Sequence, residues 1–248
     1  MGQADKTQAQ LCLRDSVERF SSFFKEKLQD IASIPLEKSG ELFQKILYYG
    51  LLDALSVSVA SAKKRNRQRL VSLVRCFSNW AQCERVSLPH IIRLLQRVPD
   101  PEFSQLREYA FSLYDRWQSG VTVSLDRDPS FEEVKKRWPR TLPKPIEDVR
   151  LESFQHVHLL YSYRNSLIHE FREPGYGMEF GPTDEPFYHS MMQGETENDS
   201  WELVYPVGFF RKLCETTLAG ISEYYLKNRI DPYSRYTFGS SWITALNV

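Results

Sequence analysis

HVHLLYSYRNSLIHEFR, residues 156–172, is the stretch on which the reading of this chain turns. At about 100° per residue, Leu160, Tyr163, Leu167 and Phe171 share an apolar stripe that should face a core. His158, Tyr161, Ser162, His169 and Arg172 lie within roughly 60° of Asn165 on a polar stripe. The same spacing reaches back to residue 147, and Pro174-Gly175-Tyr176-Gly177 stops it, so a helix over 147–171 is expected. Arg164 sits at the edge of the apolar stripe. An unpaired buried charge is costly, so its guanidinium needs a partner or an interface, or must snorkel out to water.

Working outward, the period stays helical almost everywhere. Apolar residues recur at three- and four-residue spacing over 6–33, and more densely from Leu36 through Leu42, Ile46, Leu52 and Val59. Further helical patterns cover 68–85, 88–97 behind Pro89, and 101–118, where Ser119-Gly120 ends the run. Residues 121–146 read as a connecting segment, crowded with Pro129, Pro139, Pro143 and Pro145 and holding one short helix at 130–137. Between 173 and 205 the period changes toward two. Phe187, His189 and Met191 alternate with Tyr188, Ser190 and Met192, as do Trp201, Leu203 and Tyr205 with their neighbours, which predicts a β-hairpin insertion. Pro206 then opens a last long helix. The expected fold is mainly α: one helical-bundle domain over 1–248, with a small β-hairpin insertion before the last long helix.

The composition, 42% hydrophobic and 26% charged over 248 residues, is that of an ordinary globular chain. No apolar stretch approaches the roughly 20 residues that cross a bilayer, so no membrane partner is expected. The opening MGQADKTQ carries no apolar block, and Lys6 stands where a myristoylation signal wants Ser or Thr, so a cytoplasmic location is expected. Cys12, Cys76, Cys83 and Cys214 form no C-x-x-C pair and read as reduced, mostly buried thiols. Formal charge is zero, but residues 1–172 hold 27 basic and 21 acidic side chains while 173–248 hold 5 and 11. Neutrality is therefore an excess of six cancelling a deficit of six. The segment from Glu173 to Glu202 carries eight acids and no Lys or Arg, which suits it to bordering, gating or shielding a basic cleft rather than gripping a polyanion.

Histidine is the side chain best suited to proton transfer near neutral pH. Of the five, His90, His156 and His189 sit in surroundings that favour an ordinary surface or core role, whereas His158 and His169 lie on the polar stripe. Carboxylate pairs such as Glu132-Glu133 and Asp126/Asp128 fall at helix starts or in loops, where negative charge serves structure. His156 and His158 diverge on a helix and cannot share a metal, and no P-loop, dinucleotide fingerprint, nucleophile elbow or zincin motif is present. The densest basic run is Lys63, Lys64, Arg65, Arg67 and Arg69, which reads either as a solvated inter-helix turn or as a phosphate-backbone contact.

The run Arg164-Asn165-Ser166-Leu167-Ile168-His169 resembles the R-N-x-x-x-H form of the motif of the HEPN superfamily, helical bundles named for nucleotide binding in higher eukaryotes and prokaryotes. The motif covers six residues, and the architectural likeness covers roughly 36–228, with the 173–205 insertion departing from the minimal bundle. Tyr188-His189 and the Trp201 to Pro206 stretch are similar to a bacterial HEPN-like family. The resemblance implies metal-independent RNA cleavage with no cofactor, at a composite site where two motif helices face each other across a homodimer. It also implies a toxin or defence setting, with an antitoxin or regulatory protein as a further partner.

The residues are compatible with that chemistry. His169 can act as acid or base, Arg164 can clamp phosphate oxygens bidentately, and Asn165 can orient either. On a straight helix Arg164 and His169 diverge by about 140°, too far for one phosphate, so two copies around a two-fold are expected to bring one Arg to the other His. His158, Arg172 and the basic run are the expected RNA contacts. A non-catalytic HEPN-like module that binds RNA, a nucleotide or a protein, and a helical scaffold in which the motif is accidental, are the competing readings.

Overall fold

Apolar residues at helical spacing form helices wherever they can be buried together, and the first sixty residues supply two long ones. The computed structural model describes residues 3–37, 39–60, 64–139, 150–192 and 199–237. In chain order α1 spans Gln3–Ala32, α2 Gly40–Val59, α3 Asn66–Phe77 and α4 Leu88–Arg97. They are followed by α5 at Ser104–Tyr114, α6 at Phe131–Lys135, α7 at His156–Asn165 and α8 at Val207–Asn228. α8 lies against α1, α2 and α3, and α3 also packs on α7. Phe20, Leu52, Leu160, Leu167, Phe210 and Ile221 from these helices form the main core. A second cluster, including Leu88, Ile91, Phe103, Leu106 and Val134, sits under α4, α5 and α6. The fold is mainly α with a small β-insertion, and among the described residues no helix is long and apolar enough to cross a membrane.

The insertion is a three-stranded antiparallel sheet rather than a hairpin alone. β2 (Phe187–Met192) pairs with β3 (Asp199–Val204) in the register Tyr188 to Leu203 and Ser190 to Trp201. The edge strand β1 (Val123–Ser124) comes from the segment read as a bare connection. Within that segment α6 lies inside the expected 130–137, while residues 140–149 and the loop at 193–198 lie outside the described residues.

Three helices are shorter than their periodicity predicts, the first being the 101–118 pattern, which ends with α5 at Tyr114. The pattern over 68–85 stops at Phe77: the Ser78 hydroxyl donates to the Val74 carbonyl at 2.7 Å, Asn79 turns left-handed at φ 54°, and a separate 3-10 turn covers Ala81–Glu84. The helix expected from 147 starts as α7 only at His156. Before it, the chain is tied sideways to residues 85–86, with the His156 amide donating to the Arg85 carbonyl at 3.0 Å and Gln155 forming an isolated antiparallel bridge with Val86. Two of the four thiols, Cys12 and Cys76, are exposed, so the expected burial holds for Cys83 and Cys214 alone; all four are free.

One buried polar network joins the second cluster to the sheet. The Asp128 carboxylate, 1% exposed, accepts from the Leu88 amide at 2.9 Å and the Tyr188 hydroxyl at 2.7 Å, and lies 2.7 Å from His156 Nε2. The Tyr188 hydroxyl also lies 2.8 Å from Ser87 Oγ, which meets His90 Nδ1 at 2.7 Å. Burying a carboxylate without such partners would cost several kcal/mol, so this network fixes the order of the surrounding loops.

The acidic insertion is pinned to the bundle by ion pairs. Lys45 of α2, fully buried, meets Glu173 at 2.7 Å and Glu179 at 2.6 Å, and Tyr163 donates to the same Glu173. Glu179 also accepts from the Val207 amide at the start of α8, where the helix dipole favours an anion. Glu202 pairs with Arg93 at 3.2 Å, and Glu185 pairs with Lys212.

Candidate functional site

Arg164 and His169 meet within one chain, against the divergence expected of a straight helix. After Asn165 the backbone widens into a π-turn over Ser166–Glu170, in which the Phe171 amide donates back to the Ser166 carbonyl. A π-turn places residues i and i+5 nearly above one another, and such turns recur at functional sites. Here it brings Arg164 Nη1 to 3.5 Å from His169 Nε2. The geometric reason for requiring a second copy therefore falls away for this pair.

Asp53 of α2 is the partner that Arg164 needed. Its Oδ2 accepts from Arg164 Nη2 at 2.9 Å and from Nε at 3.3 Å. The Arg164 side chain is 14% exposed and that of Asp53 32%, so the pair is partly sheltered. The bidentate edge expected to hold a phosphate is thus spent on Asp53, and Nη1 is the edge that faces the imidazole. His169 and Asn165 are both exposed.

The left-handed residue that ends the turn, Phe171 at φ 52°, reverses the chain direction. Phe171 consequently points outward, 63% exposed, instead of extending the core stripe of Leu160, Tyr163 and Leu167. Arg172 lies beyond the helix, pairs with Glu170, and leaves the polar stripe on which the periodicity placed it.

His158 remains on the exposed side of α7, where Arg67 reaches it from α3: Nη2 lies 3.1 Å from His158 Nδ1, and the guanidinium carbon 5.9 Å from the Tyr161 ring centroid. Burial, with Arg67 and Arg75 adding to it, pushes the His158 pKa down to about 4. The imidazole is neutral at pH 7 and accepts from Arg67, so the positive charge at this point is the arginine's. Lys64, Arg65 and Arg67 are exposed at the start of α3, and Arg69 folds back to the Lys64 carbonyl and the Asn66 side chain. Lys63 lies outside the described residues. The basic run and the motif helix thus meet through Arg67 and His158.

Sequence reasoning missed Asp53 and the Asp128 network. A signal for the first was present: Asp53 is the lone charge in the run 46–59, as Arg164 is the lone Lys, Arg, Asp or Glu in 156–169, and two isolated opposite charges on apolar helices are natural partners. Asp128 was read as a loop carboxylate serving structure, but nothing local marked its three partners, which come from residues 40, 28 and 60 positions away. What the geometry offers is an exposed imidazole beside a fixed guanidinium, continued along α7 by a second arginine. No protein-family model, curated protein or solved structure matches this chain.

Proposed function

We propose that the chain is a metal-independent endoribonuclease of HEPN type, cleaving RNA by attack of the 2′-hydroxyl on the adjacent phosphate. The observation that carries this reading is the 3.5 Å approach of Arg164 Nη1 to the exposed His169 Nε2, held by the π-turn and by Asp53. The reaction takes a proton from the 2′-hydroxyl, gives one to the departing 5′-oxygen, and builds negative charge on the phosphorane between them. A neutral imidazole accepts the first proton, an imidazolium supplies the second, and the guanidinium stabilises the charge. The products are a 2′,3′-cyclic phosphate and a 5′-hydroxyl.

One imidazole beside Arg164 serves one of the two proton transfers, and a second copy of the chain supplies the other. The outer face of α2 supports such a partner. Phe43, Leu47 and Val57 are between 44% and 47% exposed there, and around Gly50, in mid-helix, an added Cβ would meet nothing within 4 Å. A glycine inside a helix costs about 1 kcal/mol relative to alanine, which close approach of another helix would offset. The toxin or defence role, with its regulatory partner, rests on the resemblance alone.

Arg164→Ala and His169→Ala should each abolish cleavage of a structured RNA in EDTA while keeping wild-type helicity. Wild-type protein that leaves such RNA whole at every concentration, or cleavage surviving in His169→Ala, overturns the enzymatic reading.

A further inference from the structure

A cleft of about 150 Å³ opens between α4, α7 and β3, beside the motif but apart from it. Its walls are apolar and aromatic, with Pro89, Leu159, Trp201 and Leu203 among them, and its polar groups are His90, Arg93, Ser162 and Glu202. A cavity of about this volume accommodates a single six-membered aromatic ring. Planar ligands are held in such sites by flat apolar walls and oriented by a few polar groups.

Those polar groups are complementary to one kind of ring. Glu202, 7% exposed, presents a carboxylate, which only accepts hydrogen bonds. Its Oε1 accepts from Arg93 Nη2 at 3.2 Å and from the Ser200 hydroxyl at 3.4 Å, and its Oε2 is approached at 3.4 Å by the Tyr176 amide, the last two long and weak contacts. Gly175 shapes this corner: at φ +77° its backbone suits glycine, and a Cβ there would lie 2.4 Å from Glu202 Oε2. Arg93 is half exposed and only donates. Burial, with His156 and Arg93 adding to it, lowers the His90 pKa to about 4, so its ring adds no charge at pH 7. An acceptor beside a donor at one edge of a ring-sized cleft matches a base that carries an exocyclic amine next to ring and carbonyl acceptors.

We propose that this cleft is a base pocket for cytosine, with Glu202 accepting from the N4 amine and Arg93 donating to N3 or O2. With C4 held at Glu202, uracil is disfavoured because its O4 would face the carboxylate and its N3–H the donor-only guanidinium. The proposal rests on the RNA reading of the motif and names the substrate feature that reading lacks. Ser162 lines the cleft on the exposed side of α7, about 5 Å along the axis from Asn165. A base seated here therefore sets which phosphate of the strand reaches Arg164 and His169, and the pocket acts as a specificity determinant.

Titration of the full chain with cytidine and uridine monophosphates, followed by calorimetry and by tryptophan emission, tests the pocket without requiring cleavage. Cytidine monophosphate should bind about tenfold or more tightly than uridine monophosphate, the discrimination expected of one well-placed polar pair. Glu202→Gln should erase that preference. Arg93→Ala should weaken cytidine binding in a protein of unchanged helicity, since Arg93 is half exposed; this variant serves if Glu202→Gln does not fold. Equal binding of the two nucleotides, or binding of neither, overturns the pocket. Cleavage at random positions with no cytidine binding leaves the ribonuclease standing and removes the pocket. Selective cytidine binding by a chain that cleaves nothing does the reverse.

Discussion

Arg164 illustrates how a single residue is settled by partners that lie far away in the chain. Its need for a counter-charge is legible from burial and charge alone, while the choice of Asp53, 111 positions away, depends on how α2 and α7 pack. His158 makes the opposite point: on the polar stripe it looks available for protonation, and burial instead holds it, like His90, near pKa 4. The folded pKa lies below the usual 6.5, so unfolding takes up protons between these values. Stability from these two groups is present above pH 6.5 and is lost as pH falls toward 4. The urea midpoint should decline over that window, and His158→Gln should decline less steeply than wild type. Parallel curves for the two proteins would contradict the assignment for His158.

At the scale of elements, helices were readable from period and their ends were not, because the ends answer to tertiary contacts. α3 stops where Ser78 caps Val74, and α7 starts where the preceding backbone is claimed by Arg85. The π-turn left no periodic trace, since Leu167 is buried in either geometry. β1 was missed because a two-residue strand is too short to alternate. The insertion's docking is an element-scale property that rests on Lys45, whose two carboxylate partners come from the 173–180 segment. Lys45→Met leaves Glu173 and Glu179 facing each other without a cation, and should lower stability by about 3 kcal/mol or more in chemical denaturation. Adding Glu173→Gln and Glu179→Gln to that variant should recover part of the loss. A Lys45→Met protein as stable as wild type would mean that the clamp holds nothing.

For the whole molecule, the opposed charges of the two parts of the sequence meet in pairs across their boundary, through Lys45 and Arg93, while Lys212 pairs with Glu185 within the acidic part. The acidic segment thus neutralises specific cations of the bundle, which is more definite than the shielding role its composition suggested. Fold class was legible in composition and period. The cleft was not, since Arg93, Ser162 and Glu202 come together only after α4, α7 and β3 are assembled. Self-association belongs to this scale too. Leu47→Glu places a charge on the outer face of α2 at a side chain 44% exposed, and should yield a monomer of native helicity by light scattering; a dimer that persists would remove α2 as the contact.

Asp53 stands at the border of that same outer face, and it holds the guanidinium of the site. If two chains meet along α2, the helix that recruits the partner is also the one that aims Arg164. On the proposed ribonuclease reading, turnover per chain would then climb with protein concentration until association saturates. The abundance of the protein would itself set how active each molecule is.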